Sequence, residues 1–188
     1  MAEQGEESKG YKILSSEVRF EGEVISLVVD QVEFRPGETG QRETIRHRGG
    51  VGIVPITAAG EVVLVRQYRH PIRGEMLEIP AGKLGRGEDP AACAVRELAE
   101  ETGFVCDDPV KLAEFYTSPG YSNEMFYLYM GEGVREGPRP DRSHEERDLT
   151  VVVLPLGKAV AMISTGGIKD GKSIAGLTMT ARSFEADR

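Results

Sequence analysis

Cysteine is scarce here: the 188 residues hold only two, Cys93 and Cys106. They lack zinc-type spacing and have no histidines nearby to complete a ligand set. Cys93 falls in an alanine-rich helical stretch and reads as a buried free thiol, a usage that fits a reducing cytoplasm. An excess of basic residues is also missing. The net charge of −8 argues against nucleic acid as the main partner, because phosphate binding needs a basic footprint. A small anionic substrate stays open, since a metal can invert the local sign. Long apolar runs are absent as well. "VVVLPL" (151 to 156) is far too short to cross a bilayer, and the opening "MAEQGEESKG" lacks the apolar core of a signal peptide. A soluble, cytoplasmic protein with no membrane partner is expected.

What is present suits one domain with a small appendage, long enough to bury a real core. Residues 1–10 read as a polar tail. Residues 11–48 read as an N-terminal β segment, in which the β-branched "VISLVVDQVEF" (24 to 34) runs into a Pro-Gly turn, "RPGETGQ" (35 to 41). In residues 49–188, "GGVGIVPIT" and "EVVLVRQYR" flank "AAG" as a hairpin, and strands follow at "KLAEFYTS", "EMFYLYMGEGV" and "LTVVVLPL". The clearest helix is 89 to 102: Asp89 can cap it, Pro90 suits the first position, and Gly103 suits the exit. Two helices, "GKAVAMIST" and "GKSIAGLTMTARSF", end the chain, giving a mixed α/β (α+β) layout.

That first helix is chemically odd. At about 100° per residue, Ala91, Ala94, Val95, Leu98 and Thr102 gather on one face and Glu97, Glu100 and Glu101 on another. Like charges at these spacings repel by a few tenths of a kcal/mol per pair. Arg96, four before Glu100, can neutralise or orient one of them. A solvated acidic face would be interspersed with lysines, which this one lacks. A glycine-rich loop, "AGKLGRGE", also feeds straight into the helix. Oxygen donors without cysteine or histidine point to a hard cation, Mg²⁺ or Mn²⁺, whose natural second partner is a phosphate oxygen.

Gly82, five residues, Glu88, seven residues, then Arg96-Glu97-Leu98-Ala99-Glu100-Glu101-Thr102-Gly103-Phe104 resembles the Nudix box, G-x5-E-x7-R-E-U-x-E-E-x-G-U, at every fixed position. The resemblance implies the Nudix fold, a mixed β-sheet sandwiched between α-helices. It also implies metal-dependent cleavage of a nucleoside diphosphate linked to another moiety, with two or three ions per site. It makes Glu97 and Glu101 metal ligands and Glu100 a direct or water-mediated one. Arg96 orients the glutamates, Glu88 braces the loop, and the Ala81 carbonyl is an additional ligand.

Beyond the box, "FYTSPGYSNE" (115 to 124) places Pro119 sixteen residues past Gly103. That offset resembles the ADP-ribose pyrophosphatase branch of the family. "RQYRHP" (66 to 71), "LEIPAGK" (77 to 83), "IKDGKSIAGL" (168 to 177) and "HEERDLTV" (144 to 151) look like segments of the same branch. The resemblance implies hydrolysis of ADP-ribose to AMP and ribose 5-phosphate, with Pro119 and Gly120 at the substrate. Metal-bound carboxylates are poor proton acceptors, so a separate base should serve the attacking water. The resemblance puts it on the late loop, at Glu146 or its neighbour Glu145. Arg69 matches an arginine that contacts the diphosphate or terminal ribose. Glu78 matches a position near the substrate, or is a strand-edge charge. Arg42 and Glu43 match residues lent by a partner subunit around the adenine, implying a homodimer with exchanged N-terminal strands. "GQRETIRHR" carries no Trp or Tyr to stack on a base, a role open to Arg42. Two alternatives stand beside this reading: hydrolysis of another sugar nucleotide such as GDP-mannose, and a non-catalytic nucleotide-binding module.

Overall fold

Strand β4 (Gly50–Thr57) is buried along almost its whole length in the computed structural model, which describes residues 10–138 and 148–186. Its neighbours β5 (Glu61–Arg69) and β10 (Met125–Glu136) carry similarly continuous apolar runs. Such runs mark strands covered on both faces. The pleat sorts them. Val51, Ile53, Val63 and Tyr129 pack with Cys93, Ala94 and Leu98 of helix α1 (Pro90–Thr102). Val54, Ile56, Leu64, Phe126 and Leu128 face the other way. There they pack with Ala159 of α2 (Leu156–Ser164) and Leu177 of α3 (Gly171–Ala186).

The main sheet runs β11 (Thr150–Pro155), β5, β4, β10, β8 (Phe104–Val105). β6 (Gly74–Glu78) pairs with β5, β7 (Ala81–Lys83) with β4, and β9 (Val110–Tyr116) with β10. β10 runs parallel to β4, while the remaining described pairs are antiparallel, so the sheet is mixed and lies between helices, as expected. The short strands β6 and β7 are additions to the expected element list. They convert part of the supposed loop before α1 into ladder, pinning Gly82 opposite Val51. No described helix is long and apolar enough to cross a membrane.

The described residues divide into two compact units. The larger holds Arg48–Thr117 and Glu124 onward. The smaller holds the chain up to His47 together with Ser118–Asn123. In it, β1 (Lys12–Glu21), β2 (Ile25–Arg35) and β3 (Glu38–His47) form an antiparallel meander. The segment Ser118–Asn123, which reads in sequence as a turn between two strands, belongs to this meander. Ile45 N–H donates to the Tyr121 carbonyl (2.7 Å), Asn123 N–H donates to the Ile45 carbonyl (3.2 Å), and His47 N–H donates to Asn123 Oδ1 (2.8 Å). The open edge of β3 has backbone groups that need partners, and the segment supplies them.

Candidate active site

Asp89 starts α1 by accepting the Ala92 N–H at 3.0 Å, and Pro90 occupies the first turn. Gly103 ends it in the left-handed region, at φ 77°, where a side chain would be strained. Between these stops the box residues are fixed by one arginine. Arg96 Nε donates to Glu88 Oε1 (2.9 Å) and Nη2 to Glu88 Oε2 (3.2 Å). Its Nη1 meets Glu100 Oε2 at 2.7 Å and Glu97 Oε1 at 2.9 Å. The Arg96 pKa is raised, chiefly by its hydrogen bond to Glu88, and the Glu88 carboxyl is lowered to about 2, chiefly by Arg96. Glu88 also accepts the Gly85 N–H (2.8 Å), closing the glycine-rich loop onto the helix.

Glu101 departs from the expected separation of faces. It is 6% exposed, buried beside Cys93, Ala94, Leu98 and Thr102, while Ala91 and Val95 are only half-buried. The reason is geometric. Glu101 follows Leu98 by three and Ala94 by seven, so it belongs to the packed stripe as much as to the acidic one. Its carboxylate accepts the Ala81 N–H at 3.1 Å. Burial pushes its pKa up to about 8, with Glu97 and Glu78 adding to the rise and Arg69 opposing it.

Glu78 is not a strand-edge charge. It is 1% exposed and forms a bidentate pair with Arg69, Nε to Oε1 at 2.9 Å and Nη2 to Oε2 at 2.6 Å. The Arg69 pKa is raised by that bond first, with Glu101 and Asp170 contributing. Arg69, Glu78, Glu101 and Asp170 therefore share one electrostatic neighbourhood. Asp170 escapes a reading of the sequence as a site residue, although it lies in the singled-out segment "IKDGKSIAGL". It caps α3, accepting both the N–H (2.9 Å) and the hydroxyl (2.7 Å) of Ser173. The one available signal was an Asp followed three residues later by a Ser at a helix start.

Arg42 and Glu43 lie on β3 and Pro119 and Gly120 in the segment Ser118–Asn123, all within the smaller unit. The Arg42 guanidinium sits 4.6 Å from the Phe34 ring centroid and 5.1 Å from that of Tyr11, and the two rings meet edge to face. The rings against Arg42 come from outside "GQRETIRHR": Phe34 from β2, and Tyr11 from just before β1. Glu145 and Glu146 lie outside the described residues.

The donors fit a hard divalent cation in kind. Glu97, Glu100 and Glu101 offer only oxygen, and Glu101 is a buried acid crowded by other carboxylates, whose ionised form calls for a positive partner. Among the described residues no three such groups already form a closed cage. Glu97 and Glu100 are turned to Arg96, and Glu101 to the Ala81 N–H. Burial pushes the Cys93 thiol up to about 12, and its sulfur lies 3.1 Å from Arg96 Nη2.

Known proteins resemble this chain along most of its length. The "Methanol dehydrogenase activator" of Bacillus methanolicus is 39% identical over 163 residues, covering 87% of this chain and 88% of that one. The "ADP-ribose pyrophosphatase" of Bacillus subtilis (strain 168) is 34% identical over 162 residues, covering 86% and 88%. The "GDP-mannose pyrophosphatase" of Yersinia pestis (strain Pestoides F) is 40% identical over a shorter 122 residues, 61% of each chain. A solved structure, "Crystal structure of ADP compounds hydrolase", shares the fold at a TM-score of 0.82 and 22% identity, covering 94% of this chain and 95% of that one. The NUDIX domain family matches residues 46–175, the span that contains the Arg96-centred carboxylates, α1, α2 and the start of α3, and the chain belongs to that family.

Proposed function

We propose that this protein hydrolyses the pyrophosphate bond of ADP-ribose to AMP and ribose 5-phosphate, with Mg²⁺ or Mn²⁺ held by α1. The observation that carries the reading is the buried Glu101 carboxyl beside Glu97 on the box helix, a charge that a divalent cation would make favourable. Glu97 and Glu101 would hold the ions, two or three in number, with Glu100 and the Ala81 carbonyl completing the set. When bound, such a cation neutralises diphosphate charge and lowers the pKa of water.

The chain's own groups do the rest. Arg96 keeps three carboxylates oriented through one rigid fork. Arg69 spends Nε and Nη2 on Glu78, leaving Nη1 for the diphosphate or terminal ribose. Glu146, or Glu145, accepts the proton of the attacking water as a new P–O bond forms and the bridging P–O bond breaks. Lent by a second copy of the chain, the Arg42 stack with Tyr11 and Phe34 would offer a platform for the base beside Glu43, with Pro119 and Gly120 as further substrate contacts.

A homodimer with exchanged N-terminal strands belongs to the same proposal. β1 is exposed throughout and presents Ile13, Leu14, Val18 and Phe20, an apolar surface that a second copy would cover. Sedimentation velocity at micromolar concentration should give a dimer. The two buried free cysteines fit a cytoplasmic location.

ADP-ribose is preferred because the relative named for it matches over 86% of this chain, against 61% for the GDP-mannose relative. The similarity to a methanol dehydrogenase activator supports a second role, acting on a dehydrogenase. Adding the protein to a methanol dehydrogenase and following turnover tests that role. A silent binding module is disfavoured because all the box glutamates are present. The deciding experiment compares ADP-ribose with GDP-mannose, with and without EDTA, and identifies the products. Chelator-sensitive release of AMP and ribose 5-phosphate is expected. Release from GDP-mannose alone overturns the substrate, and tight binding without cleavage overturns the reaction.

A further inference from the structure

The last residue of β6, the two residues that link it to β7 and the first residue of β7 run Glu78-Ile79-Pro80-Ala81. Each is held by a different element. The Glu78 carboxylate takes the Arg69 fork from β5. The Pro80 carbonyl accepts the Ile53 N–H from β4 at 3.0 Å. The Ala81 N–H donates to Glu101 from α1 at 3.1 Å. The Ile79 N–H donates to Ser173 Oγ from α3 at 2.9 Å, 94 residues away in sequence. Ser173 is fully buried and its hydroxyl proton goes on to Asp170 Oδ2 at 2.7 Å. With its one proton committed to Asp170, the Ser173 oxygen can only accept, which selects the Ile79 amide. Ile79 itself is fully buried, so no water can substitute.

We infer that Ser173, aligned by Asp170, is a positioning residue for the active site: it sets where the Glu78–Ala81 segment lies, and so where Glu78, Ala81 and Glu101 stand. This inference rests on the hydrolase reading of the α1 carboxylates. A shift of this segment moves the Ala81 N–H that anchors Glu101 and the Glu78 carboxylate that anchors Arg69, on either side of Ile79. Displacements of about 1 Å in such supports cost on the order of 10²-fold in rate.

The test uses the full-length protein and Ser173→Ala, with Ser173→Thr as the variant that keeps the hydroxyl. Amide exchange by NMR reads the tether without substrate. In Ser173→Ala the Ile79 and Ala81 amides should lose protection by roughly 10-fold or more, while Leu128 in the β10–β4 ladder keeps its own. With substrate, kcat should fall by roughly 10-fold or more at nearly unchanged KM, and Ser173→Thr should recover most of it. Unchanged Ala81 protection, or full kcat in Ser173→Ala, overturns the inference. So does loss of protection at Leu128 along with the others, which would mark general loosening. If wild-type protein cleaves no nucleoside diphosphate while the exchange pattern appears as described, the tether stands and the hydrolase reading falls.

Discussion

Gly82 leaves open the space that the Glu97 carboxylate fills: a Cβ at Gly82 would overlap the Glu97 Cδ and both of its oxygens. The box glycine is therefore a steric partner of the box glutamate, held opposite Val51 by the β7–β4 ladder. Gly82→Ala should push Glu97 aside. Turnover should drop by about 10²-fold with cooperative unfolding retained, read by steady-state kinetics and a thermal melt. Wild-type turnover in this variant would remove Glu97 from the reaction.

Glu97→Gln and Glu101→Gln should each lower kcat by roughly 10² to 10⁴-fold, and EDTA should silence the unaltered protein until Mg²⁺ is restored. Full activity in the double variant, or indifference to chelator, would end the metal reading.

Metal-free stability should depend on pH through Glu101. Its carboxyl is raised from 4.5 to about 8, so the folded state keeps a proton that the unfolded state releases. The associated stability is fully present below pH 4.5 and is lost as pH rises toward 8, a change of a few kcal/mol at most. The apo protein should melt at lower temperature at pH 8 than at pH 5. Glu101→Gln should flatten this slope. Mg²⁺ should raise the melting temperature most at the alkaline end, because an ion replaces the proton there.

Arg69→Ala should damage stability as well as activity, since it strands the buried Glu78 carboxylate. Arg69 is 39% exposed, so a loss of roughly 2 kcal/mol is expected rather than the full cost of breaking a buried pair. Chemical denaturation measures it. Arg69→Lys should recover only part, because an ammonium cannot reproduce the two-pronged contact. An unchanged denaturation midpoint in Arg69→Ala would leave the arginine a substrate contact alone.

Glu146→Gln should leave folding intact and cut kcat by about 10²-fold or more, with Glu145→Gln milder. The reverse ranking would assign the proton to Glu145, and normal turnover in both would return the base to α1.

Much of this was readable in the residues themselves. The helix from Pro90 to Thr102 announces its cap, first turn and exit, and the continuous apolar strands announce a sheet covered on both faces. The box spacing carries the carboxylates and their arginine. What stayed hidden depends on contacts between distant segments. Glu101 sits at a spacing shared by the acidic and packed stripes, and it accepts the amide of Ala81, twenty residues earlier in the chain. Glu78 pairs with Arg69 through the β5–β6 register, and Ser173 meets Ile79 across 94 positions. Tyr11 and Phe34 reach Arg42 only once the meander folds.

The attachment of Ser118–Asn123 to β3 bears on how this protein can be cut and recombined. A shortened version beginning near residue 48 would keep the family signature yet strip Tyr121 and Asn123 of Ile45 and His47. Its scissors line, though clean on the printed chain, would run through a woven seam, and grafts between relatives should carry both pieces together.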